Sequence, residues 1–260
     1  MKAITKAIAS ALEEFSMVQK GDLVLVAVSG GKDSSALLWH LAEIARWESF
    51  GLSLIPAVTA PSFLDTSWDQ RRQFLETLCR ELGLELRVLG SEKNSPSGIE
   101  AASVTDLVRS DDNGVCDGKK IEGGSHDLSC YECSRARRIL LYREALSLGA
   151  ASIAMGHHLD DILTTALMNL LLHGSLEGME PVRHYGKATI RLIRPLVRTA
   201  EETLRRFRDA MGWQSFTCTC PRGQNGTRAV FRERLEALTQ GSLAQKERLL
   251  GGLLSAGKNV

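Results

Sequence analysis

Apolar residues recur at helical intervals at the start of the chain, where Ile4, Ile8, Leu12 and Phe15 share one face. The pattern predicts an amphipathic helix within an N-terminal unit over residues 1–20. The period then changes. Residues 23–28, LVLVAV, form a short, continuous apolar run rich in valine, as a parallel strand covered on both faces requires. Residues 34–47 return to helical spacing. The same alternation predicts a strand over 52–59 and a helix over 66–82, a strand over 84–89, then a strand over 152–155 and a helix over 160–173. Alternation of this kind implies an α/β fold, a doubly wound parallel sheet with helices on both faces.

Between residues 90 and 129 no period survives. SDDNGVCDGKKIEGGSHD is rich in Gly, Asp and Ser and reads as an irregular surface insert. After Pro181 the pattern predicts a strand over 189–193, a helix over 199–211, a cysteine-bearing turn, and two helices over 227–239 and 243–254. The expected organisation is therefore an α/β domain over 21–195 followed by a C-terminal helical extension over 196–260.

Composition is ordinary for a globular chain, with 43% hydrophobic and 24% charged residues among 260. The net charge of +1 demands no particular partner. Its distribution is less even: residues 181–228 hold ten Arg or Lys against three acids, a local +7 that reads equally as a polyanion-facing surface or as a solvated basic face. Glu13 and Glu14 interrupt the opening stretch where an export signal would need an apolar core, and no apolar run approaches about 18 residues, so no membrane partner and a cytoplasmic location are expected. In that setting the six cysteines, at 79, 116, 130, 133, 218 and 220, point to metal binding or redox chemistry sooner than to structural disulfides. Cys79, His40 and His173 fall in apolar helical patterns and read as packing residues.

The turn after the first strand, SGGKDS at 29–34, lacks both the Walker spacing and the dinucleotide G-x-G-x-x-G. The physics is nonetheless that of an anion cradle. Gly30 and Gly31 remove the side chains that would keep an anion off the backbone N–H groups, and the helix dipole favours negative charge there. Lys32 adds a point charge, Ser29, Ser34 and Ser35 can donate, and Asp33 can hold Mg²⁺ against the same phosphates. A tight turn with Asp33 or Ser34 as an N-cap would account for one of these residues but not for all of them.

Two further motifs carry chemistry. Cys130 and Cys133, in SCYECSRARR, have a chelating spacing immediately before a predicted helix that starts at Ser134 and stops at Gly149, where the helix N-terminus favours thiolates. The spacing alone leaves zinc, an iron–sulfur cluster, a redox disulfide and unrelated thiols open. In SIAMGHHLDDILTTALMNLLLHG, Gly156, His157 and His158 follow a strand and Asp160 and Asp161 open a helix, which suits Mg²⁺ or simply the helix dipole.

SGGKDS after this strand resembles the pyrophosphate loop of the PP-loop ATP pyrophosphatases, which cleave ATP to AMP and pyrophosphate. The order SGGKDS, C-x-x-C with SRARR, GHHxDDI, LEGMEP, IRPL, and a lone cysteine ahead of N-x-x-R is similar, over residues 21–235, to the tRNA 2-thiocytidine synthetase (TtcA) branch of that family. The resemblance implies ATP as substrate, bound by Ser29, Gly30, Gly31, Lys32, Asp33, Ser34, Ser35, Gly156, His157 and Asp160, with Lys32, Asp33 and Asp161 as catalytic residues and Asp33 on Mg²⁺. It also implies a [4Fe-4S] cluster on Cys130, Cys133 and Cys220, with tRNA held by Arg135, Arg137, Arg138 and Arg228. A sulfur donor system is implied as a further partner, and a homodimer stays open. Three departures stand out: Leu159 where the family has arginine, Thr164 where it has glutamate, and the final motif, which reads CPRGQNGTR at 220–228 where the family has CGSQPNLQR. A sulfurtransferase or desulfurase acting on a free nucleobase or cofactor, and a non-catalytic cluster-binding sensor, are the alternatives.

Overall fold

The computed structural model describes residues 2–61, 65–90, 130–184, 190–216 and 227–256, the side chains of 130–132 excepted. The expected insert therefore lies, apart from Gly90, outside the described residues, as do Cys116, Cys218 and Cys220. In chain order the elements are α1 (Lys2–Glu14), β1 (Leu23–Ala27), α2 (Lys32–Ala45), β2 (Ser53–Thr59), α3 (Trp68–Leu82), β3 (Arg87–Leu89), α4 (Cys130–Ser147), β4 (Ser152–Ala154), α5 (Leu159–His173), β5 (Val182–His184), β6 (Arg191–Ile193), α6 (Glu201–Ala210), α7 (Thr227–Thr239) and α8 (Leu243–Ala256).

The sheet runs β3-β2-β1-β4-β6-β5. All neighbours are parallel except β5, which pairs antiparallel with β6, Arg183 opposite Leu192. The expected α/β architecture holds, with that edge strand as an addition. Val182–His184 is half-buried to exposed over three residues, too short for any period to register.

β1 occupies the centre because both of its faces are apolar. Val24 and Val26 point to a core shared with Ile8 and Leu12 of α1, Leu37 and Leu41 of α2, Leu78 of α3 and Leu204 of α6. Leu25 points the other way, to Leu141, Tyr142 and Ala145 of α4. Cys79 lies buried in the first of these cores, where burial pushes its thiol up to about 12, the behaviour of an inert packing residue. His40 is buried as expected, whereas His173 ends α5 on an exposed turn. α7 and α8 pack on α5, so the C-terminal extension covers the helix that follows β4.

One expected boundary moves with consequences for the site. α4 begins at Cys130, so Cys130 and Cys133 sit inside its first turn rather than ahead of it.

Candidate active site

Strand order reverses between β1 and β4, and in an open parallel sheet that reversal splays the connections apart and leaves a crevice at the carboxyl ends of the two strands. The loops after β1 and β4 are SGGKDS and MGHH, so the two motifs legible in the sequence meet there. Their contact is close: a Cβ on Gly156 would fall 3.0 Å from both N and Cα of Ser34. Only glycine admits this approach of backbone to backbone.

The phosphate loop is tied to itself. Ser34 Oγ accepts from the Ser29 N–H at 3.0 Å and donates to the Gly31 carbonyl at 3.2 Å, with Ser29 Oγ 3.1 Å away. Gly30 takes a φ of +77°, and α2 begins with Gly31 as N-cap and no side-chain cap, so neither Asp33 nor Ser34 plays the capping role. Ser34 is a scaffold of the loop. Ser35 is buried with its hydroxyl unpartnered among the described residues. Phe216 N–H donates to the Gly30 carbonyl and Lys32 N–H to Ser215 Oγ, which braces the loop from the C-terminal side.

Behind the loop lies a compact set of alternating charges. Lys32 Nζ is 3.1 Å from Asp33 Oδ2 and 2.8 Å from Glu201 Oε1. The other oxygen of Glu201 is 3.6 Å from Arg232, which binds Asp161 at 2.8 Å. Asp160 is fully buried; its Oδ2 accepts the Glu201 N–H at 2.7 Å and its Oδ1 takes Lys246 Nζ at 2.6 Å. His158 stands among three carboxylates, 3.4 Å from Asp161, 3.6 Å from Asp160 and 3.9 Å from Asp33.

The electrostatics follow from that packing. Burial alone would raise the Asp160 and Asp161 carboxyls. The His158 ring overrides it for both, joined by Lys246 and the Glu201 N–H for Asp160 and by Arg228 and Arg232 for Asp161, and holds them below the ordinary carboxylate range. For Asp33 burial wins and its pKa is raised, against the pull of His158 and Lys32. Burial would lower His158, but its three carboxylates raise it; burial and Arg194 push His157 down to about 3, which keeps it neutral. Asp33 Oδ1 is buried and lacks a hydrogen-bond donor among the described residues. An orphaned carboxylate oxygen at a phosphate loop fits a cation shared with phosphate, the usual manner of Mg²⁺. No group of three His, Cys, Asp or Glu side chains among the described residues would hold a metal by itself.

A cavity of about 300 Å³ opens in front of the loop. Ser29, Gly31, Asp33, Gly156 and His157 form one wall, Ala57, Val58 and Thr59 of β2 another, and Ser134, Arg137 and Arg138 of α4 a third. Arg137 and Arg138, expected at an RNA surface, thus face the loop. Arg137 Nη2 also donates to Cys133 Sγ at 3.0 Å, so the partly exposed sulfur sits next to the cavity-lining arginines. A free cysteine sulfur one residue before the cavity-lining Ser134 fits the expected iron–sulfur ligation. The Cys130 side chain and Cys220 lie outside the described residues. Arg135 is half-buried, and Arg228 is tied to α5 through Thr165 Oγ1 at 2.8 Å.

Glu201, Arg232 and Lys246 were not legible as site residues, and His158 was noted only as part of its motif. The basic count over 181–228 also dissolves into pairs: Arg191 with Asp22 at 2.8 Å, Arg198 with Glu14 at 2.7 Å, Arg206 with Glu202 at 2.8 Å and Arg208 with Asp209 at 2.9 Å. Of these, Arg206 and Arg208 meet acids of the same segment, and Arg191 and Arg198 meet acids from outside it. Leu159 is fully buried in the apolar core, and Thr164 is fully buried with its hydroxyl unpartnered among the described residues.

Comparison with known proteins agrees with this geometry. The sequence matches the PP-loop domain family over residues 3–110 and 115–238. It is 30% identical over 240 residues to a tRNA-cytidine(32) 2-sulfurtransferase of Klebsiella pneumoniae, covering 90% of this chain and 67% of that one. The corresponding protein of Escherichia coli O1:K1 / APEC is 31% identical over 236 residues, with the same coverage. In structure the chain is similar over its whole length to the U34-tRNA thiolase NcsA from Methanococcus maripaludis with its [4Fe-4S] cluster, with a TM-score of 0.71, 17% identity and 80% of that chain covered. At that identity the likeness concerns the fold.

Proposed function

The chain belongs to the PP-loop domain family, and from that premise we propose that it is an ATP-dependent tRNA sulfurtransferase that replaces O2 of a cytidine by sulfur. The observation that carries the reading is the shared cavity: the phosphate loop and Ser134, Arg137 and Arg138, on the helix that bears Cys130 and Cys133, line one space. A nucleotide activated on one wall would lie near the helix that carries the cysteine pair.

ATP would lie with its β- and γ-phosphates on the N–H groups of loop 29–34 and on Lys32, and Asp33 would hold a Mg²⁺ that neutralises phosphate charge. The cytidine O2 attacks the α-phosphate, its new bond to phosphorus replacing the bond to pyrophosphate. A sulfide then adds at C2 and AMP leaves with the former O2, so oxygen is exchanged for sulfur with no net oxidation. Cys130, Cys133 and Cys220 would hold a [4Fe-4S] cluster; when bound, it supplies the sulfide, with a sulfur donor system to replenish it. The protein's own contribution is placement and charge. Lys32 neutralises the departing pyrophosphate, Asp161 stays ionised to keep Arg232 in place, and neutral His157 lines the cavity without adding charge. A target base in a single-stranded tRNA loop would be turned out of its stack to reach the cavity, and the reaction would take place in the cytoplasm, where tRNA is.

The test is reconstitution. Anaerobically purified protein, unmodified tRNA, MgATP and a sulfide source should yield 2-thiocytidine on nucleoside analysis, with one AMP formed for each, and Cys133→Ala should abolish it while retaining ATP binding. AMP formation that ignores tRNA but responds to a free nucleobase would replace this reading with the small-molecule one.

A further inference from the structure

The cavity has one wall residue that neither the motifs nor the charged cluster accounts for. Arg71 of α3 lines it beside Ser29, Gly31 and Thr59. Its stem crosses the phosphate loop at contact: a Cβ on Gly30 would fall 2.6 Å from Arg71 Cγ and 3.0 Å from Cδ. The loop glycine therefore makes room for an arginine as well as for an anion.

The guanidinium is held in place from behind. Asp65 Oδ2 takes Arg71 Nη2, while Asp65 Oδ1 accepts from Ser67 N–H at 3.0 Å and Ser67 Oγ at 2.7 Å. The Trp68 ring lies 5.3 Å from the guanidinium carbon. The Asp65 side chain is 2% exposed and that of Arg71 14%. Arg71 Nε is nonetheless buried with no hydrogen-bond partner among the described residues. A guanidinium anchored at the wall of a polar cavity keeps N–H donors beyond those that Asp65 takes, and these can serve a ligand.

Charge balance points the same way. Lys32 is matched by Asp33 and Glu201, Arg232 by Asp161 and Glu201, and Lys246 by Asp160 and Glu236. These three cations face five carboxylates, so the cluster carries no excess positive charge, and the N–H donors of Arg71 beyond its contact with Asp65 lie at the cavity where a polyphosphate would need them. We propose that Arg71 is a polyphosphate-binding residue of this site, donating to β- and γ-phosphate oxygens of the nucleotide on loop 29–34, with Asp65 as its positioning partner. This rests on reading the cavity as an ATP site. A guanidinium takes phosphate oxygens two at a time, which a lysine cannot, and AMP lacks the groups it would grip.

Calorimetric titration of the full chain with ATP, pyrophosphate and AMP, each with Mg²⁺, tests the assignment on wild type, Arg71→Met and Arg71→Lys, with thermal melting as the check on folding. The methionine keeps the stem over Gly30 and removes the charge. It should weaken ATP and pyrophosphate by at least about tenfold, as loss of a charge-assisted contact does, and change AMP by less than about twofold. Arg71→Lys should fall between methionine and wild type. Equal weakening of all three ligands, or unchanged ATP and pyrophosphate binding, would overturn the proposal and leave the ATP site standing. If Arg71→Met fails to fold, Arg71→Lys decides alone, by selective loss of the two polyphosphates or by none. Wild-type protein that binds none of the three would overturn the site reading and this assignment with it.

Discussion

Glu201, which opens α6, sets its carboxylate 2.8 Å from the ammonium of Lys32 in the phosphate loop, and its own N–H donates to Asp160 in the motif after β4. One residue thereby joins both nucleotide motifs to the C-terminal helices. Burial would lower the Lys32 pKa, but Asp33 and Glu201 raise it above the ordinary lysine value, so the loop keeps a full positive charge.

Glu201→Gln should therefore act on rate more than on fold. The amide keeps the shape and the backbone bond to Asp160, and loses the charge that aims Lys32. Pyrophosphate release at saturating ATP should fall about tenfold, against about a hundredfold or more for Lys32→Met, which removes the charge itself. Steady-state pyrophosphate assays check both, and a wild-type rate for Glu201→Gln would reduce Glu201 to a structural strut.

Lys246 and Asp160 form a different kind of pair. Both are almost wholly buried, and α8 reaches α5 through them. Removing Lys246 leaves the buried Asp160 carboxylate to His158 and the Glu201 N–H alone, so Lys246→Met should lose up to about 3 kcal/mol in urea unfolding. Lys246→Met with Asp160→Asn should recover part of that loss, since the orphaned carboxylate is then gone. Strictly additive effects would show that the two side chains do not sense each other.

His40 gives the protein an acid-sensitive spot far from the site. Thr5 Oγ1 donates to Glu43 at 2.9 Å, so its contact with His40 Nδ1, also 2.9 Å, has the ring as donor. Nε2 is then the unprotonated nitrogen, buried without a partner among the described residues, with the ring 4.6 Å from that of Phe207. Burial pushes the pKa down to about 4. The unfolded chain takes up the proton first, near pH 6.5, so the stability tied to neutral His40 is present above that pH and lost as pH falls toward about 4, at up to about 1.4 kcal/mol per pH unit. Urea unfolding between pH 7 and 4 should show this slope, and His40→Asn, which keeps a donor toward Thr5 but cannot titrate, should flatten it.

What the sequence revealed of the site was what is local. A valine-rich run followed by Gly-Gly-Lys-Asp-Ser, or a strand followed by Gly-His-His and two aspartates, combines backbone freedom, charge and helix start within a few residues. Glu201, Arg232 and Lys246 carry no such signature. Each is a charged residue on a helix with a polar face, and only the docking of α6, α7 and α8 turns it inward. The +7 count could not show that Glu14 and Asp22, from the other end of the chain, lie against Arg198 and Arg191. Arg71 was hidden by its helix in the same way, and β5 by its length.

Gly156 offers the sharpest test that the two motifs work as one site. It lies at the end of the strand next to β1, and its Cα faces the backbone of Ser34 with no flexible side chain between them. A methyl group there would meet N and Cα of Ser34 at 3.0 Å and the Asp33 carbonyl carbon at 3.3 Å, so Gly156→Ala must push the loops apart by a few tenths of an ångström. Overpacking of this kind costs about 1–3 kcal/mol in stability. The displaced atoms are the first turn of α2, whose N–H groups form the anion cradle, so ATP affinity should fall by more than the stability change explains. Calorimetric titration with ATP, at a temperature where the variant is fully folded by circular dichroism, separates the two effects. Wild-type affinity in a folded Gly156→Ala protein would mean that the loop after β4 packs against the cradle without shaping it.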